Sequence, residues 1–554
     1  MDRLHRIIPL IKRNDPIINS LNMYNIKMDD EMVDILVEAL RINSFISKVS
    51  LNENKLTPKS ASKVFTILIS NPKITNLEII SNQLNDDSIK ELAEVLKELP
   101  KNRDCINIVL RKNNFTEIGA QALANAIEEN VPVCWLDLRD NKNIGDKGVE
   151  VIALALSKNH NLTGLDLIKC GCGELGTAAL SDSLKDGNNT LKTILLQDKM
   201  SQNSIRSLGM LFASKTCSLQ ALYLWNCALT ADLLEELCLS LRTNKSLTTL
   251  ALSYNHIDDS GAFYLADLIF RNKSLLKLQL GANSFTTHTA GYFGVALSKN
   301  STLHFLDLSR NSLKSFGVWP ICVSLMNNKT LKTLDLRYNN IDSSGAEILC
   351  ELIATNQSLT TLRLSGNDFD SNSIELISEK LKINKTLKEL ELNEVSMTTD
   401  GFIALCEALK VNQTLDKISV SNNYLTSNSL KSFSELLKTN TTLQVIGMSL
   451  CNISDEGCKY IADGIANNST LIELDISKNL ITTRGINMIL ESLQGNYSLM
   501  KLDSTDNPYK DSGAELPSII NRNTDYLERN NYYMHNNLMK DIASLLNDPP
   551  LRNQ

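Results

Sequence analysis

The strongest constraint in this sequence is a repeat with a period of 28 residues. Residues 247–257 read LTTLALSYNHI, and the same frame, L-x-x-L-x-L-x-x-N-x-I/L/F, begins again at Leu275, Leu303, Leu331 and Leu359. The second leucine of the frame, or an apolar substitute, marks 18 units: Leu21, Val49, Leu77, Ile108, Leu136, Leu165, Ile194, Leu222, Leu250, Leu278, Leu306, Leu334, Leu362, Leu390, Ile418, Ile446, Leu474 and Leu502. Such self-similarity indicates one stacked array rather than the several domains that a length of 554 residues would suggest.

Each unit divides into a strand half and a helix half. Residues 250–252 read LAL, the alternation of a short strand, and after Gly261 the sequence AFYLADLIFRNK places its apolar side chains along one helical stripe. One unit cannot bury its apolar faces alone, so units stack with parallel strands on one side and helices on the other. Because strands pair about 4.8 Å apart and helices need about 10 Å, the array has to bend. The pattern predicts an α/β solenoid of about 18 repeats, a horseshoe with strands on the concave face and helices on the convex face.

The motif and its period resemble the ribonuclease-inhibitor-like class of leucine-rich repeat proteins. This class includes the repeat regions of intracellular NLR receptors and the Ran GTPase-activating protein. The resemblance covers about residues 17–513 and implies a solenoid there, used mainly as a binding surface. Since the open ends of a repeat array need covers, we expect residues 1–16 to form an N-terminal helical cap. Residues 514–554 are expected to form a C-terminal helical cap with a frayed tail.

In this class, the asparagine of the frame forms a buried ladder that satisfies backbone groups where each strand meets its loop. Here it stands at Asn54, Asn82, Asn113, Asn141, Asn255, Asn283, Asn311, Asn339, Asn367, Asn423, Asn479 and Asn507. A cysteine, a known substitute in the class, takes the slot at Cys170, Cys227 and Cys451. Three units depart from the pattern, and we expect local loosening near their residues: Ile26, Lys199 and Val395.

Two further patterns suggest chemistry but fall in register with the repeat. Cys172 occupies an apolar slot, and four cysteines share one helix slot where other units have alanine or serine: Cys238, Cys322, Cys350 and Cys406. A free cysteine packs as a small hydrophobe, whereas zinc needs converging ligands, so we expect core residues and no metal. The N-x-S/T sequons also recur with the repeat, which indicates a structural turn rather than glycosylation: Asn244, Asn272, Asn300, Asn328, Asn356, Asn384, Asn412, Asn440, Asn468 and Asn496.

Composition narrows the function further. A net charge of -7 and a pI of about 5.6 provide no basic field for nucleic acid. No apolar run approaches the roughly 20 residues of a membrane span, and the first residues lack the apolar core of a secretory signal. The twelve cysteines show no paired spacing, so we expect reduced thiols and a cytoplasmic location. There is no G-x-x-x-x-G-K-[ST] loop, and the six histidines fall in separate units, so we expect no cofactor and no enzymatic activity.

In a solenoid of this class, the side chains between and just after the strand leucines point into the concave face. In the central units these positions hold Trp135, Asp137, Arg139, Tyr223, Trp225, Tyr254, Phe305, Arg310, Arg337 and Tyr338. Tryptophan, tyrosine and arginine dominate protein interfaces. Because leucine already fills the core-facing strand positions, we expect these side chains to be exposed and to contact a protein partner. The alternative is that scattered aromatic residues only favour strand formation.

Toward the C-terminal end, the same positions form an acidic sector with interspersed lysines: Glu389, Glu391, Glu394, Glu473, Asp475, Asp503 and Asp506, with Lys417, Lys478 and Lys501. Such a sector could attract a basic partner, or it could be an ordinary solvated face.

We therefore predict a monomeric, non-catalytic scaffold or inhibitor that binds a protein through its concave face. Richness in Asn, Lys and Ile suggests an AT-rich genome, and stand-alone arrays of this type resemble protist cytosolic proteins and effectors that intracellular bacteria deliver to the host cytoplasm. Two alternatives stay open, a regulator of a small GTPase like the Ran GTPase-activating protein, and a cytosolic ligand sensor, which would need a deep pocket. The sequence leaves open the partner, the organism, and whether the concave face or the helix and loop edges bind.

Overall fold

The 28-residue unit folds as a three- to five-residue strand, a turn, a helix and a return loop. The computed structural model describes residues 2–509 except Asp15, Ile17 and Gly187. Its residues group into two compact units, the first comprising residues up to 285 and 295–307, the second 286–294 and those from 308 onward. The expected C-terminal cap, 514–554, lies outside the described residues.

In the first unit each strand pairs in parallel with the next along the chain. The register places one marker residue opposite the next, as for Leu222 and Leu250. The strands are β1 Ser20–Asn22, β2 Lys48–Ser50, β3 Asn76–Glu78, β4 Ile106–Val109, β5 Val133–Asp137, β6 Gly164–Asp166, β7 Thr193–Leu196, β8 Ala221–Leu224, β9 Thr249–Ala251, β10 Lys277–Gln279 and β11 Phe305–Asp307.

The second unit repeats this arrangement, with Leu334 opposite Leu362 and parallel pairing throughout. Its strands are β12 Thr333–Asp335, β13 Thr361–Arg363, β14 Glu389–Glu391, β15 Lys417–Ser419, β16 Val445–Gly447, β17 Glu473–Asp475 and β18 Lys501–Asp503.

The helices alternate with the strands. Those of the first unit are α1 Asp2–Lys12, α2 Asp30–Arg41, α3 Pro58–Phe65, α4 Ile67–Ser70, α5 Asp86–Glu98, α6 Glu117–Glu128, a 3-10 turn Lys142–Ile144, α7 Gly145–Leu156, α8 Glu174–Asp186, α9 Gln202–Ala213, α10 Ala231–Leu241 and α11 Asp259–Arg271. The boundary between the units falls within α12 Thr287–Lys299. Those of the second unit are α13 Lys314–Met326, α14 Ser343–Thr355, α15 Ser371–Leu381, α16 Thr399–Val411, α17 Ser427–Thr439, α18 Asp455–Ala466 and α19 Thr483–Leu493. Within residues 2–509, apart from the three gaps, no helix has the length and apolarity to cross a membrane.

The positions where the helices begin and the burial of the strand leucines follow directly from the sequence. Asp258 caps α11 by accepting hydrogen bonds from the amides of Ser260 and Gly261, as short acidic side chains do at a helix start. Leu250 and Leu252 are fully buried, because alternate strand residues face the helices. The core of each unit therefore lies between its strands and its helices, as the periodicity predicts.

The predicted asparagine ladder is confirmed. The Oδ1 atom of Asn255 accepts hydrogen bonds from the amides of Cys227 and Leu229, and its Nδ2 donates to the carbonyl of Leu224. Cysteine keeps the donor role, since Sγ of Cys227 lies 3.6 Å from the carbonyl oxygen of Leu196. Each rung thus joins one repeat to the preceding one.

At Lys199 the expected loosening is not what the structure shows. The neighbouring Asp198 accepts the hydrogen bond from the amide of Cys172, at 3.1 Å, that an asparagine in the slot would accept. Burial raises the pKa of Asp198, and backbone amides, first that of Cys172, partly offset the effect. A carboxylate one residue earlier therefore replaces the missing amide as acceptor.

The sequon asparagines form a second ladder at the opposite corner of each repeat. Nδ2 of Asn412 donates to the carbonyl of Leu381 in the preceding repeat at 2.7 Å, and its Oδ1 accepts from the amides of Thr414 and Leu415. Nine of the ten are buried. This confirms the structural interpretation of the sequons.

An inserted arginine takes this role where the repeat lengthens to 31 residues. The guanidinium of Arg103 donates to the carbonyls of Leu68, Asn71 and Ile74, the last at 2.7 Å. One repeat earlier, Asn71 donates to the carbonyls of Leu40 and Asn43, the equivalents of Leu68 and Asn71. The extra loop therefore supplies its own rung.

Burial of the cysteines is confirmed, but their uniform reduction is not. Cys170 and Cys172 are fully buried, and the four that share a helix slot are at most 3% exposed. Cys105 and Cys134, however, are joined by a disulfide, with Cα atoms 5.7 Å apart. A register shift between β4 and β5 brings the two residues side by side, which spacing alone does not reveal. The other ten cysteines are free.

Candidate partner-binding surfaces

Side chains of the first unit's strands that point away from the helices form an aromatic cluster. Ile168, Leu195, Tyr223 and Ala251 make a buried apolar group, and three partly buried residues pack against it: Trp135, Ala221 and Trp225. We call these seven residues the aromatic cluster. It lies over β5 to β9, on the strand face predicted to bind.

A glycine one repeat along creates the place for Trp135. Trp135 and Gly164 lie opposite each other on β5 and β6. A Cβ atom on Gly164 would stand 2.0 Å from Cε3 of Trp135, so the indole lies directly over the glycine. Any side chain at this position would displace the ring.

Tyr223 corrects the expectation that the strand leucines leave the aromatic residues without a packing role. Its side chain is only 3% exposed, and its ring meets that of Trp225 edge-on with centroids 5.1 Å apart. Burial raises the pKa of its hydroxyl to about 12. Tyr223 therefore supports the cluster from beneath, and Trp225 supplies its accessible part.

Asp137 was also expected to be exposed and is not. It lies beside Asp166 across β5 and β6, and both carboxylates are about 1% exposed. Arg111 pairs with Asp137 at 2.5 Å, and Arg139 with Asp166 at 2.6 Å. Burial raises the pKa of Asp137 to about 6, with Asp166 adding to the effect and the two arginines opposing it. The Arg139 side chain is only 12% exposed. Asp137 and Arg139 thus stabilise the strand face through ion pairs and present little charge to a partner.

The two remaining predicted residues of the first unit, Tyr254 and Phe305, lie outside the cluster. Tyr254 is half-buried, with a φ of 63° in the turn after β9. Phe305 on β11 is half-buried beneath the ammonium group of Lys277, which stands 4.7 Å from its ring centroid. Both rings remain partly accessible on the strand side.

In the second unit, Arg310 and Tyr338 form a stacked pair at the edge where strands meet loops. The guanidinium carbon of Arg310 lies 4.3 Å from the ring centroid of Tyr338. The ring covers Gly366, where a Cβ would stand 2.2 Å from Cδ1 of the tyrosine. The tyrosine hydroxyl donates to Glu394 at 3.0 Å. A cation, an aromatic ring and a carboxylate thus follow one another along the edge.

Arg337 points instead into a network of ion pairs. Its Nη2 lies 2.6 Å from Oδ2 of Asp335, whose side chain is 1% exposed, and its Nη1 lies 3.6 Å from Glu391. Arg363 of the next repeat also contacts Glu391, at 3.1 Å. About a third of the Arg337 side chain remains exposed.

The same network explains much of the acidic sector. Glu389 pairs with Lys417 at 2.9 Å, and Glu473 pairs with Lys501 at 2.5 Å. Burial raises the pKa of Glu391 despite the opposing charges of Arg363 and Arg337. Much of this sector is therefore internally paired, whereas Glu394 is exposed at its edge.

The contributors absent from the predicted set include Gly164, Gly366 and Arg363. Each lies one repeat after a residue that it contacts: Gly164 after Trp135, Gly366 after Tyr338 and Arg363 after Asp335. The two glycines leave room for a ring, and the arginine pairs with a carboxylate. Comparing each strand position with its counterpart in the next unit would have found them.

Comparisons with known proteins agree with the repeat. A family profile described as "Leucine Rich repeat" matches residues 136–153, 243–266, 327–350, 355–378 and 439–462. The chain is 29% identical over 247 residues to mouse NACHT, LRR and PYD domains-containing protein 14, covering 43% of this chain and 24% of that protein. It is 27% identical over 257 residues to mouse ribonuclease inhibitor, covering 46% of this chain and 55% of the inhibitor. The chain thus spans about a quarter to just over half of these relatives.

A solved structure, the mouse RP105/MD-1 complex, is 14% identical with a TM-score of 0.43, covering 90% of this chain and 80% of that chain. The family profile, the 28-residue strand-helix unit and the asparagine rungs show that the chain is built of leucine-rich repeats, similar to those of the ribonuclease-inhibitor-like class.

Proposed function

We propose that this protein is a non-catalytic scaffold or inhibitor that binds a protein partner through its strand face. The observation that carries this proposal is the aromatic cluster, which places apolar side chains on the side of the strands away from the helices. Trp135 and Trp225 are only partly buried in this cluster, whereas Leu222 and Leu250 fill the core positions of their strands.

The cluster combines a rigid base with accessible rings. Tyr223 and Leu195 are at most 6% exposed, so the surface beneath Trp225 is already packed before a partner arrives. Preformed aromatic surfaces lose little conformational entropy on binding, and tryptophan and tyrosine are frequent hot spots. Trp135, Trp225 and Tyr254 are therefore proposed as the main contacts of the first unit.

The second unit is proposed to contribute polar specificity. Arg310 is exposed and stacked on Tyr338, which holds its guanidinium at the edge of the strands. An exposed carboxylate, Glu394, receives the tyrosine hydroxyl. Such an alternation of charges favours a partner with complementary charges in the same order.

Occupation of this face would act by steric exclusion or by bringing partners together, with no covalent step. The relatives include a protein named ribonuclease inhibitor, which accords with an inhibitory role. A cytoplasmic location belongs to the same proposal; ten of the twelve cysteines are free, while Cys105 and Cys134 are paired.

The test is affinity capture from cell lysate with the wild-type protein and a Trp225→Ala/Tyr254→Ala variant, compared by mass spectrometry. Loss of the aromatic contact with Tyr223 should cost only about 1 kcal/mol, so the variant is expected to fold. A matched control is Phe270→Ala, which removes a 41% exposed ring at the end of α11. We expect one set of partners to be lost from the double variant and kept by the control. Equal retention by all three proteins would refute the proposal.

A further inference from the structure

The outer face of α13 carries three exposed apolar side chains. Phe316 is 83% exposed, Trp319 56% and Val323 38%. Spaced three and four residues apart, these side chains share one face of the helix over about two turns. Large apolar side chains in a contiguous exposed row mark interaction sites more often than single ones do.

The following two repeats hold glutamate in these slots, whereas the preceding repeat holds Gly291 and the exposed Val295 on α12. One repeat after Trp319 stands Glu347 on α14, and one repeat further stands Glu375 on α15, both exposed. One and two repeats after Val323 stand Glu351 and Glu379, also exposed. The apolar row on α13 is thus followed, in the next two repeats, by two rows of glutamates.

The exposed apolar residues of α13 are not explained by the stability of the helix itself. Pro320 stands inside the helix, where it removes an amide that would otherwise bond to the carbonyl of Phe316. The buried side of the helix is complete without the exposed row, since Val318, Ile321 and Leu325 are fully buried. The outer residues therefore add no packing to the core.

We propose that this face docks an amphipathic helix of a partner protein, with basic residues along the edge that faces α14 and α15. A straight row one helix wide fits a helical partner, whose apolar face would cover Phe316 and Trp319. Packed at the usual distance of about 8–10 Å, the partner's flank would approach Glu347 on the adjacent α14, and the negative charge of Glu375 would act over a longer distance. In the same rows, Glu351 pairs with Lys380 at 3.0 Å and Glu379 with Lys382 at 2.5 Å, whereas no ion pair of Glu347 or Glu375 is found within the described part of the chain.

Charge favours a basic helix over two other occupants, a second copy of this chain and an anionic membrane. A second copy meeting this face would bring two sets of acidic rows together, and an anionic membrane would meet the same carboxylates. A basic helix gains from both the apolar row and the acidic rows. This surface is distinct from the strand face, so its failure would leave the proposed function untouched.

The experiment measures binding at this face through the fluorescence of Trp319. The chain has three tryptophans, so Trp135→Phe with Trp225→Phe leaves Trp319 alone in the full-length protein. The probe is a synthetic helix of leucine and lysine, about 14 residues long, with leucines on one face, and a matched helix with glutamate in place of lysine. We expect the lysine helix to shift Trp319 emission to the blue with saturation, and the glutamate helix to leave it unchanged.

Variants test each part of the surface. Phe316→Ser should weaken binding at least about tenfold, and Glu347→Gln/Glu375→Gln should weaken it and reduce its salt dependence. The control Leu154→Ser, at a 60% exposed position on α7, should leave affinity unchanged. Equal binding of both helices, or unchanged binding by Phe316→Ser, overturns the proposal. So does a dimer in sedimentation that Phe316→Ser abolishes, or an equal blue shift with anionic vesicles.

Discussion

Replacing Asn255 by alanine tests whether the buried amides join the repeats. Asn255 is 3% exposed, and its Oδ1 accepts from the amides of Cys227 and Leu229 at 2.7 and 3.3 Å. Its Nδ2 donates to the carbonyls of Leu224 and Leu252 at 2.7 and 2.9 Å. Alanine leaves these buried groups without that partner, and each unsatisfied group costs about 1–3 kcal/mol. Because carbonyls can keep other partners, we expect a total loss of roughly 3–6 kcal/mol.

Hydrogen exchange read by mass spectrometry is the assay, since a long repeat array need not unfold in one step. In Asn255→Ala the amides of Cys227 and Leu229 should exchange much faster, and Tm should fall. Asn255→Cys should lie between alanine and wild type, because cysteine keeps a donor but provides a poorer acceptor, as Cys227 shows one repeat earlier. Asn372→Ala, at an exposed position on α15, is the control. If Asn255→Ala behaved like this control, the ladder would not carry the energy assigned to it.

Three further predictions concern single positions. Burial raises the pKa of Asp137 to about 6 against an ordinary 3.8, so the folded state binds the proton more tightly and stability falls as pH rises from about 4 to 6. Asp137→Asn should therefore reduce the difference in Tm that the wild-type protein shows between about pH 4.5 and about pH 7.5, and an unchanged difference would contradict this. Thiol titration of the unfolded, unreduced protein should find ten reactive cysteines, because Cys105 and Cys134 are paired, and twelve would show the pair to be reduced. Gly366→Ala should cost about 1–3 kcal/mol, because φ is 69° and the new Cβ meets Tyr338; the cost should shrink in a Tyr338→Ala background, and an equal cost in both would exclude the clash as its cause.

The repeat made much of the fold predictable. A frame that recurs every 28 residues specifies where each strand and helix begins. The same frame predicts that the leucines at its marker positions are buried. The asparagine at the strand corner was equally predictable, because a buried amide needs partners and the next repeat always provides the same backbone groups. These features depend on local periodicity and on contacts that recur identically.

The strand face was only partly predictable. Its ten proposed contacts were located by position, yet Asp137 and Tyr223 are buried there. Exposure of a strand-face side chain depends on the residues beside it one repeat away, and these differ from repeat to repeat. Gly164 admits the ring of Trp135, whereas Arg111 covers Asp137.

The sequence alone therefore determined the repeat, the class of fold and the leucine core, because each follows from periodic burial of apolar side chains. Tertiary structure alone decided the pairing of Cys105 with Cys134, the rung formed by Arg103, and the exposure of the apolar row on α13. Each of these depends on the distance between side chains about one repeat apart, or on what neighbouring helices leave uncovered. A linear pattern specifies the side of a strand or helix on which a residue lies, but only packing against the adjacent repeats decides what that residue touches.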